Sequence, residues 1–162
     1  MNITKDNVAA SVKLLTAHRA TIKHLDLMQS NPTGGDVVRA IASLRNLEIL
    51  DLSCCVMKSK VASSLFEAVA KLPLKVLRIS DADFGKRGLA GLADVVERMT
   101  QLEGLVLDNK GGRLVDVVQK MEPFLELSDK LAKLPNLRKL SLRNLPWARR
   151  CTPTSSSSPK AT

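Results

Sequence analysis

Side chains that could carry out catalysis or hold a metal ion are few in this chain and lie far apart. The 162 residues include two histidines, His18 and His24, and three cysteines, Cys54, Cys55 and Cys151. A metal site needs several such ligands at defined spacing, and an activated nucleophile needs a nearby base. The two histidines fall in different predicted elements, and neither has an evident partner. We therefore predict that the protein is not an enzyme and needs no cofactor.

The glycine-rich stretches do not complete a nucleotide-binding motif either. The glycine pairs at 34–35 and 111–112 lack the Lys and Ser/Thr that complete a phosphate-binding loop. No G-x-S-x-G sequence of a hydrolase nucleophile is present. These glycines are better interpreted as turns between a strand and the following helix.

Cysteine usage and apolar runs predict a reduced, cytoplasmic protein. Cys54 and Cys55 are adjacent, so a bond between them would be strained, and Cys151 lies in a polar stretch. The first ten residues have no apolar signal-peptide core. No apolar run reaches the roughly 18 residues that a membrane helix needs.

The positive net charge of the chain is compatible with an anionic binding partner. The formal net charge is +9 and the sequence pI is about 9.8. Aromatic residues make up only 2% of the chain, which weakens the case for base-stacking recognition of nucleic acid. A basic, RNA-associated accessory protein remains one hypothesis, and it predicts binding that falls steeply with salt.

The elements that would position any site belong to an internal repeat. Five segments share an L-x-x-L-x-L frame and start at residues 22, 47, 74, 102 and 137. Their sequences are IKHLDLMQS, LEILDLSCC, LKVLRISDA, LEGLVLDNK and LRKLSLRNL. The fourth and sixth places are two residues apart, so both point to one face of a strand. Five matches in register at near-constant spacing indicate one strand per repeat.

Between these strands the apolar residues follow a helical period. One such stripe is formed by Val37, Ile41 and Leu44, and similar stripes precede the other strands. A first helix is predicted at about 5–17. Parallel strands need a crossover connection of this kind, and one unit cannot bury both of its apolar faces alone. The sequence predicts a stack of strand–loop–helix units.

This pattern resembles the leucine-rich repeat, and its long period and helical outer side resemble the ribonuclease-inhibitor-like subtype. The resemblance implies an α/β solenoid over residues 1–147, a short horseshoe arc of about five repeats. Strands would line the concave face and helices the convex face. The same subtype occurs in nucleotide-binding leucine-rich repeat receptors, so the chain could also be the C-terminal, ligand-sensing repeat region of such a receptor.

The sequence departs from the family pattern at the ninth place, where the family has a buried Asn or Cys. Here only Cys55 fits, and we predict a buried structural role for it. The gap before the last strand is longer and contains Pro123, which predicts two helices at 114–121 and 124–134. Residues 148–162 are rich in Ser, Thr and Pro and are predicted to be disordered, with Trp147 covering the last layer.

Candidate binding residues lie at the third, fifth and seventh places, which point away from the leucines. We predict that a protein partner binds this concave face through nine residues. The polar contacts would come from Asp26, Asp51, Arg78, Asp108, Lys139 and Arg143, and the apolar contacts from Ile49, Val76 and Val106. The charges on this face are balanced, so the +9 excess must lie on helices, loops and tail. Nucleic acid is therefore expected only at convex or tail residues, and no membrane is expected.

Overall fold

The computed structural model describes residues 2–4, 6–32, 34–84, 88–109 and 122–144. In these ranges, helices alternate with short strands along the chain. The helices are α1 (Val8–Ala17), α2 (Gly35–Ala42), α3 (Ser59–Val69), α4 (Gly88–Ala93) and α5 (Glu122–Leu131), with a 3-10 turn at Val96–Arg98. The strands are β1 (His24–Asp26), β2 (Ile49–Asp51), β3 (Val76–Arg78), β4 (Gly104–Val106) and β5 (Lys139–Ser141).

The five strands form one parallel sheet in the order in which they occur in the chain. Each strand pairs with the next in the register of the sequence frame, so Leu25, Leu50, Leu77, Leu105 and Leu140 form one row. This confirms the α/β leucine-rich repeat solenoid predicted from the five segments. The row also explains why the frame must be constant, because a one-residue slip would turn every leucine away from the core.

The core lies between the sheet and the helices. In the second, third and fourth repeats, the residues at the first, fourth and sixth places are at most 1% exposed. The helices add their apolar stripes, as with Val37 and Ile41 of α2, both 0% exposed. Phe66 of α3 meets Phe84 edge to face, with ring centroids 5.3 Å apart. Two of the chain's three phenylalanines are therefore used inside the core and not on its surface.

The turns after the strands share a backbone conformation. The eighth place has a positive φ in four repeats, at Gln29, Cys54, Asp81 and Asn144. A left-handed residue reverses the chain sharply, which brings the ninth place back under the sheet. Ser30, Cys55 and Ala82 occupy that place and are at most 1% exposed.

Cys55 has the buried structural role predicted for it. Its Sγ donates to the carbonyl oxygen of Leu27 in the preceding repeat at 3.0 Å. Burial raises the pKa of the Cys55 thiol to about 12. The turn thus links two repeats through a thiol that stays protonated at neutral pH.

We expect Cys55 to be inert toward alkylation in the folded protein. In a variant with Cys54→Ser and Cys151→Ser, Cys55 should react with N-ethylmaleimide at pH 8 at least about tenfold more slowly than it does in urea, because only the thiolate attacks. Mass spectrometry of the labelled protein measures this rate. A Cys55→Ser/Cys151→Ser variant is the control, since Cys54 is half-buried and should react faster. Equal rates for the two variants would contradict the buried thiol.

The bounds of the last helix differ slightly from the prediction. The helix expected at 124–134 is found at Glu122–Leu131, and the other expected helix, at 114–121, lies outside the described ranges. Pro123 lies in the first turn of α5, where the missing N–H of proline is tolerated. Trp147 and residues 148–162 also lie outside the described ranges, so their assigned roles stay predictions.

The core of the last described repeat is more exposed to solvent than the core of the others. Leu140 is 46% exposed, although its counterparts Leu50, Leu77 and Leu105 are fully buried. A cavity of about 360 Å³ lies beside it, and α5 and β5 form its walls. Its lining includes Leu131, Leu134, Leu137 and Leu142.

Candidate protein-binding face

The side chains opposite the helices form a surface that we call the open face, namely the third, fifth and seventh places of the five segments. The strand register sorts them into rows. One row runs His24, Ile49, Val76, Gly104 and Lys139, and the next runs Asp26, Asp51, Arg78, Val106 and Ser141. The structure therefore brings Ile49, Val76, Arg78 and Val106 together on neighbouring strands.

The apolar part of the open face lies in its centre. Ile49, Val76 and Val106 are each half-buried. Gly104 has no side chain between Val76 and Lys139, and a Cβ there would lie 3.7 Å from the Val76 methyl groups. Substitution at Gly104 is thus sterically allowed, and the glycine leaves a shallow gap in the row. This patch is partly apolar and accessible, which is typical of the centre of a protein interface.

Asp26 and Asp51 use their carboxylates to hold the chain at the end of a strand. Asp26 Oδ1 accepts a hydrogen bond from the Met28 amide at 2.8 Å, and Asp51 Oδ1 accepts one from the Ser53 amide at 2.9 Å. Asp51 Oδ2 also lies 3.9 Å from the Arg78 guanidinium. The side chain of Asp51 is 12% exposed, against 41% for Arg78. Arg78 is therefore the more accessible partner of this pair.

Asp108 has a structural position that the sequence did not indicate. Expected as a surface contact, it is only 9% exposed. Its Oδ1 accepts hydrogen bonds from the Ser141 hydroxyl at 2.7 Å and from the Arg143 amide at 2.9 Å. Because both donors lie on the next repeat, this carboxylate joins β5 to β4. The seventh place of the fourth repeat thus points into the turn and not outward.

Basic side chains gather at the end of the open face that β5 forms. Lys139 and Arg143 are both exposed there. Asp26, which is exposed, lies four strands away on β1. The accessible charges are thus acidic at the β1 end and basic at the β5 end, with the apolar patch between them.

A second ordered row of side chains, at the second place of each segment, was not predicted. Only the third, fifth and seventh places were considered as binding positions. The second places are Lys23, Glu48, Lys75, Glu103 and Arg138, which alternate in sign along the stack. Glu48 pairs with Lys23 at 3.5 Å and with Lys75 at 2.9 Å. The hydrogen bond from Lys75 lowers the pKa of Glu48, and the same bond raises the pKa of Lys75. The alternation was visible in the sequence once the five segments were aligned.

Neither a metal centre nor a membrane helix is found in the described part of the chain. No three of its His, Cys, Asp and Glu side chains lie together in a way that would hold a metal ion. None of its helices is both long enough and apolar enough to cross a membrane.

Solved structures with the same architecture come from proteins of very different sequence. A tropomodulin C-terminal domain from Caenorhabditis elegans is 15% identical, with a TM-score of 0.64, and the match covers 89% of this chain and 87% of that one. Leiomodin-1 actin-binding site 2 is 12% identical, with a TM-score of 0.63, covering 87% and 82%. No protein-family model and no curated protein sequence matches the chain.

These structures correct the subtype expected from the sequence. The assignment to ribonuclease-inhibitor-like repeats, and with it the interpretation as the repeat region of a nucleotide-binding receptor, is wrong. This chain shares its architecture with the two solved structures over most of their length, so its outer helices and repeats of 25 to 28 residues do not single out the ribonuclease-inhibitor-like subtype. At these identities the likeness establishes the fold and not the function.

Proposed function

We propose that this chain is a non-catalytic module that binds a protein partner through its open face. The observation that carries the proposal is the apolar patch on three adjacent strands, in which Ile49 and Val76 are in register and Val106 lies in the next row, opposite Arg78. Arg78 lies within it, and Asp26 and Lys139 provide opposite charges toward its two ends. An accessible apolar centre with a charged rim is the usual anatomy of a protein–protein interface.

The polar residues of the face divide into two groups with different roles. Arg78, Lys139 and Arg143 present accessible positive charge and are the proposed contact residues. Asp51 orients Arg78 and is itself nearly covered. Asp108 supports the last strand from within, and we propose that it acts on binding only through the position of β5.

Actin is the first partner to test, because it is the ligand named for the leiomodin-1 structure that shares this fold. The proposed setting is the cytoplasm, since the two described cysteines, Cys54 and Cys55, are free thiols. Co-sedimentation with purified actin filaments measures the interaction directly. A protein that stays in the supernatant at all filament concentrations would exclude actin and leave the open face to another partner.

The open face itself is tested by a charge-neutral double variant. Val76→Lys with Val106→Glu places two charges in the apolar patch without changing the net charge. We expect at least about a tenfold loss of affinity for the partner, because desolvating a new charge at an interface centre is costly. The readout is quantitative affinity capture from lysate, and co-sedimentation if actin binds.

The matched control is Ser64→Lys with Ala10→Glu, at exposed positions on α3 and α1, away from the open face. It should retain every partner of the natural sequence. Circular dichroism confirms that both variants fold. A folded open-face variant that keeps all of its partners would refute the proposal.

A further inference from the structure

We propose that the protein has a second docking surface, a basic edge that binds an acidic polypeptide segment. The basic edge consists of the five segments that lead from each helix into the next strand, residues 18–23, 43–48, 70–75, 98–103 and 132–138. They contain eight Lys or Arg residues and two acidic residues, Glu48 and Glu103. In a parallel solenoid all five lie on the same side of the stack.

Hydrogen bonds between successive segments make this edge continuous. The second-place residue of each segment donates its backbone amide to the carbonyl oxygen of the second-place residue in the preceding segment, at N–O distances of 2.8 to 2.9 Å. The donors are Glu48, Lys75, Glu103 and Arg138. Two asparagine side chains add further links, with Asn46 Nδ2 donating to the Ala20 carbonyl and Asn136 Nδ2 to the Thr100 carbonyl. The edge is therefore an ordered ridge. With strands about 4.8 Å apart, five strands give it a length of about 19 Å.

Part of the positive charge on this ridge is already neutralised. Lys23 and Lys75 share Glu48, while Arg98 pairs with Glu67 at 2.6 Å and Lys133 pairs with Glu97 at 3.0 Å. Four exposed cations have no ion pair among the described residues. They are Arg19, Arg45, Lys71 and Arg138.

Helix dipoles account for only some of these cations. Arg19, Arg45 and Lys71 follow the C-terminal ends of α1, α2 and α3, where positive charge is favoured. Arg138 instead lies directly before β5, seven residues after the end of α5, where no helix ends. Fold stability alone therefore does not explain the whole row, and an external anion would complete it.

The chemistry of the ridge favours an acidic polypeptide over nucleic acid. The five segments contain no Phe, Trp or Tyr on which bases could stack. Glu48 and Glu103 interrupt the row and would repel a continuous phosphate backbone. An extended polypeptide of about six residues spans the ridge, and it can place carboxylates at some positions and neutral residues opposite the glutamates.

The test uses a fluorescein-labelled peptide of about twelve residues that alternates Glu with Gly and Ser, in about 0.15 M salt. We expect measurable binding to the natural sequence. Lys71→Glu with Arg138→Glu should weaken it about tenfold, and Lys71→Gln with Arg138→Gln should weaken it about threefold. The glutamine variant also tests the proposal if the glutamate variant does not fold.

The matched control is Lys58→Glu with Lys60→Glu, two exposed residues at the start of α3, away from the ridge. It changes the net charge by the same amount and should bind the peptide almost normally. Absence of peptide binding, or equal weakening by both glutamate pairs, would overturn the proposal. Stronger binding of a single-stranded oligouridylate with the same charge would overturn it in favour of RNA. The open-face variant should bind the peptide normally, so the two proposals fail separately.

Discussion

Replacing Leu77 with alanine should lower the free energy of unfolding by about 3 to 4 kcal/mol, the range typical of a fully buried leucine. Leu77 lies on the central strand, is 0% exposed, and is in register with Leu50 and Leu105. Removing the Leu77 side chain leaves a cavity between the repeats on either side. Neither repeat can shift to fill the cavity without losing its strand register. Urea unfolding followed by circular dichroism measures the change from the midpoint and slope.

The same substitution at Leu140 is the internal control. It occupies the same place in the frame, on β5, but is 46% exposed. The expected loss is about 1 kcal/mol, because roughly half of the side chain already contacts water. Equal losses at the two positions would contradict the partly open last layer, and a loss below about 1 kcal/mol at Leu77 would contradict its burial.

The regular part of this fold could be predicted from the sequence because one physical requirement repeats. Each repeat must bury three residues of its strand segment and one helical stripe against its neighbours. The five segments therefore gave the strand order and the parallel pairing, with Leu50 opposite Leu77 as expected. The same logic correctly placed Cys55 in the core, since the ninth place must return under the sheet.

What could not be predicted depends on single contacts and not on periodicity. The helix expected at 124–134 begins at Glu122, so Pro123 lies in its first turn and not before it, because the start of a helix depends on where the first helical hydrogen bond forms. The subtype was misassigned because a long period and outer helices in this chain do not distinguish one leucine-rich repeat subtype from another. The change of charge from one second place to the next was not predicted. The strand pattern was used only to separate side chains that face the core from those that face the concave surface.

In the candidate site, too, periodicity predicted the regular positions and single contacts determine the rest. Alternation correctly grouped Ile49, Val76 and Val106 on one face, because side-chain direction in a strand has a strict period of two. The period fails at the seventh place of the fourth repeat, which lies beyond the strand, where the chain enters a turn. Asp108 belongs to that turn, and its side chain follows the hydrogen-bond donors of the next repeat.

Removing the Asp108 carboxylate should detach the last strand while leaving the other repeats folded. Asp108→Ala leaves the Ser141 hydroxyl and the Arg143 amide without their acceptor, and a hydrogen bond to a charged group contributes about 1.5 to 3 kcal/mol. We expect a local loss of about 3 kcal/mol, because the two bonds share one oxygen. Hydrogen exchange of residues 137–144, read by mass spectrometry, should speed up about a hundredfold, with little change in β2 and β3.

Two further substitutions separate support of β5 from contact with a partner. Asp108→Asn keeps an acceptor oxygen and should retain most of the protection, while Ser141→Ala removes one bond and should give an intermediate result. Unchanged exchange in Asp108→Ala would contradict the structural role. If Asp108→Asn kept β5 protected but lost the open-face partner, Asp108 would be a contact residue after all. The proposed division of roles instead requires that binding follow the protection of β5, since Lys139 and Arg143 reach a partner only when that strand is in place.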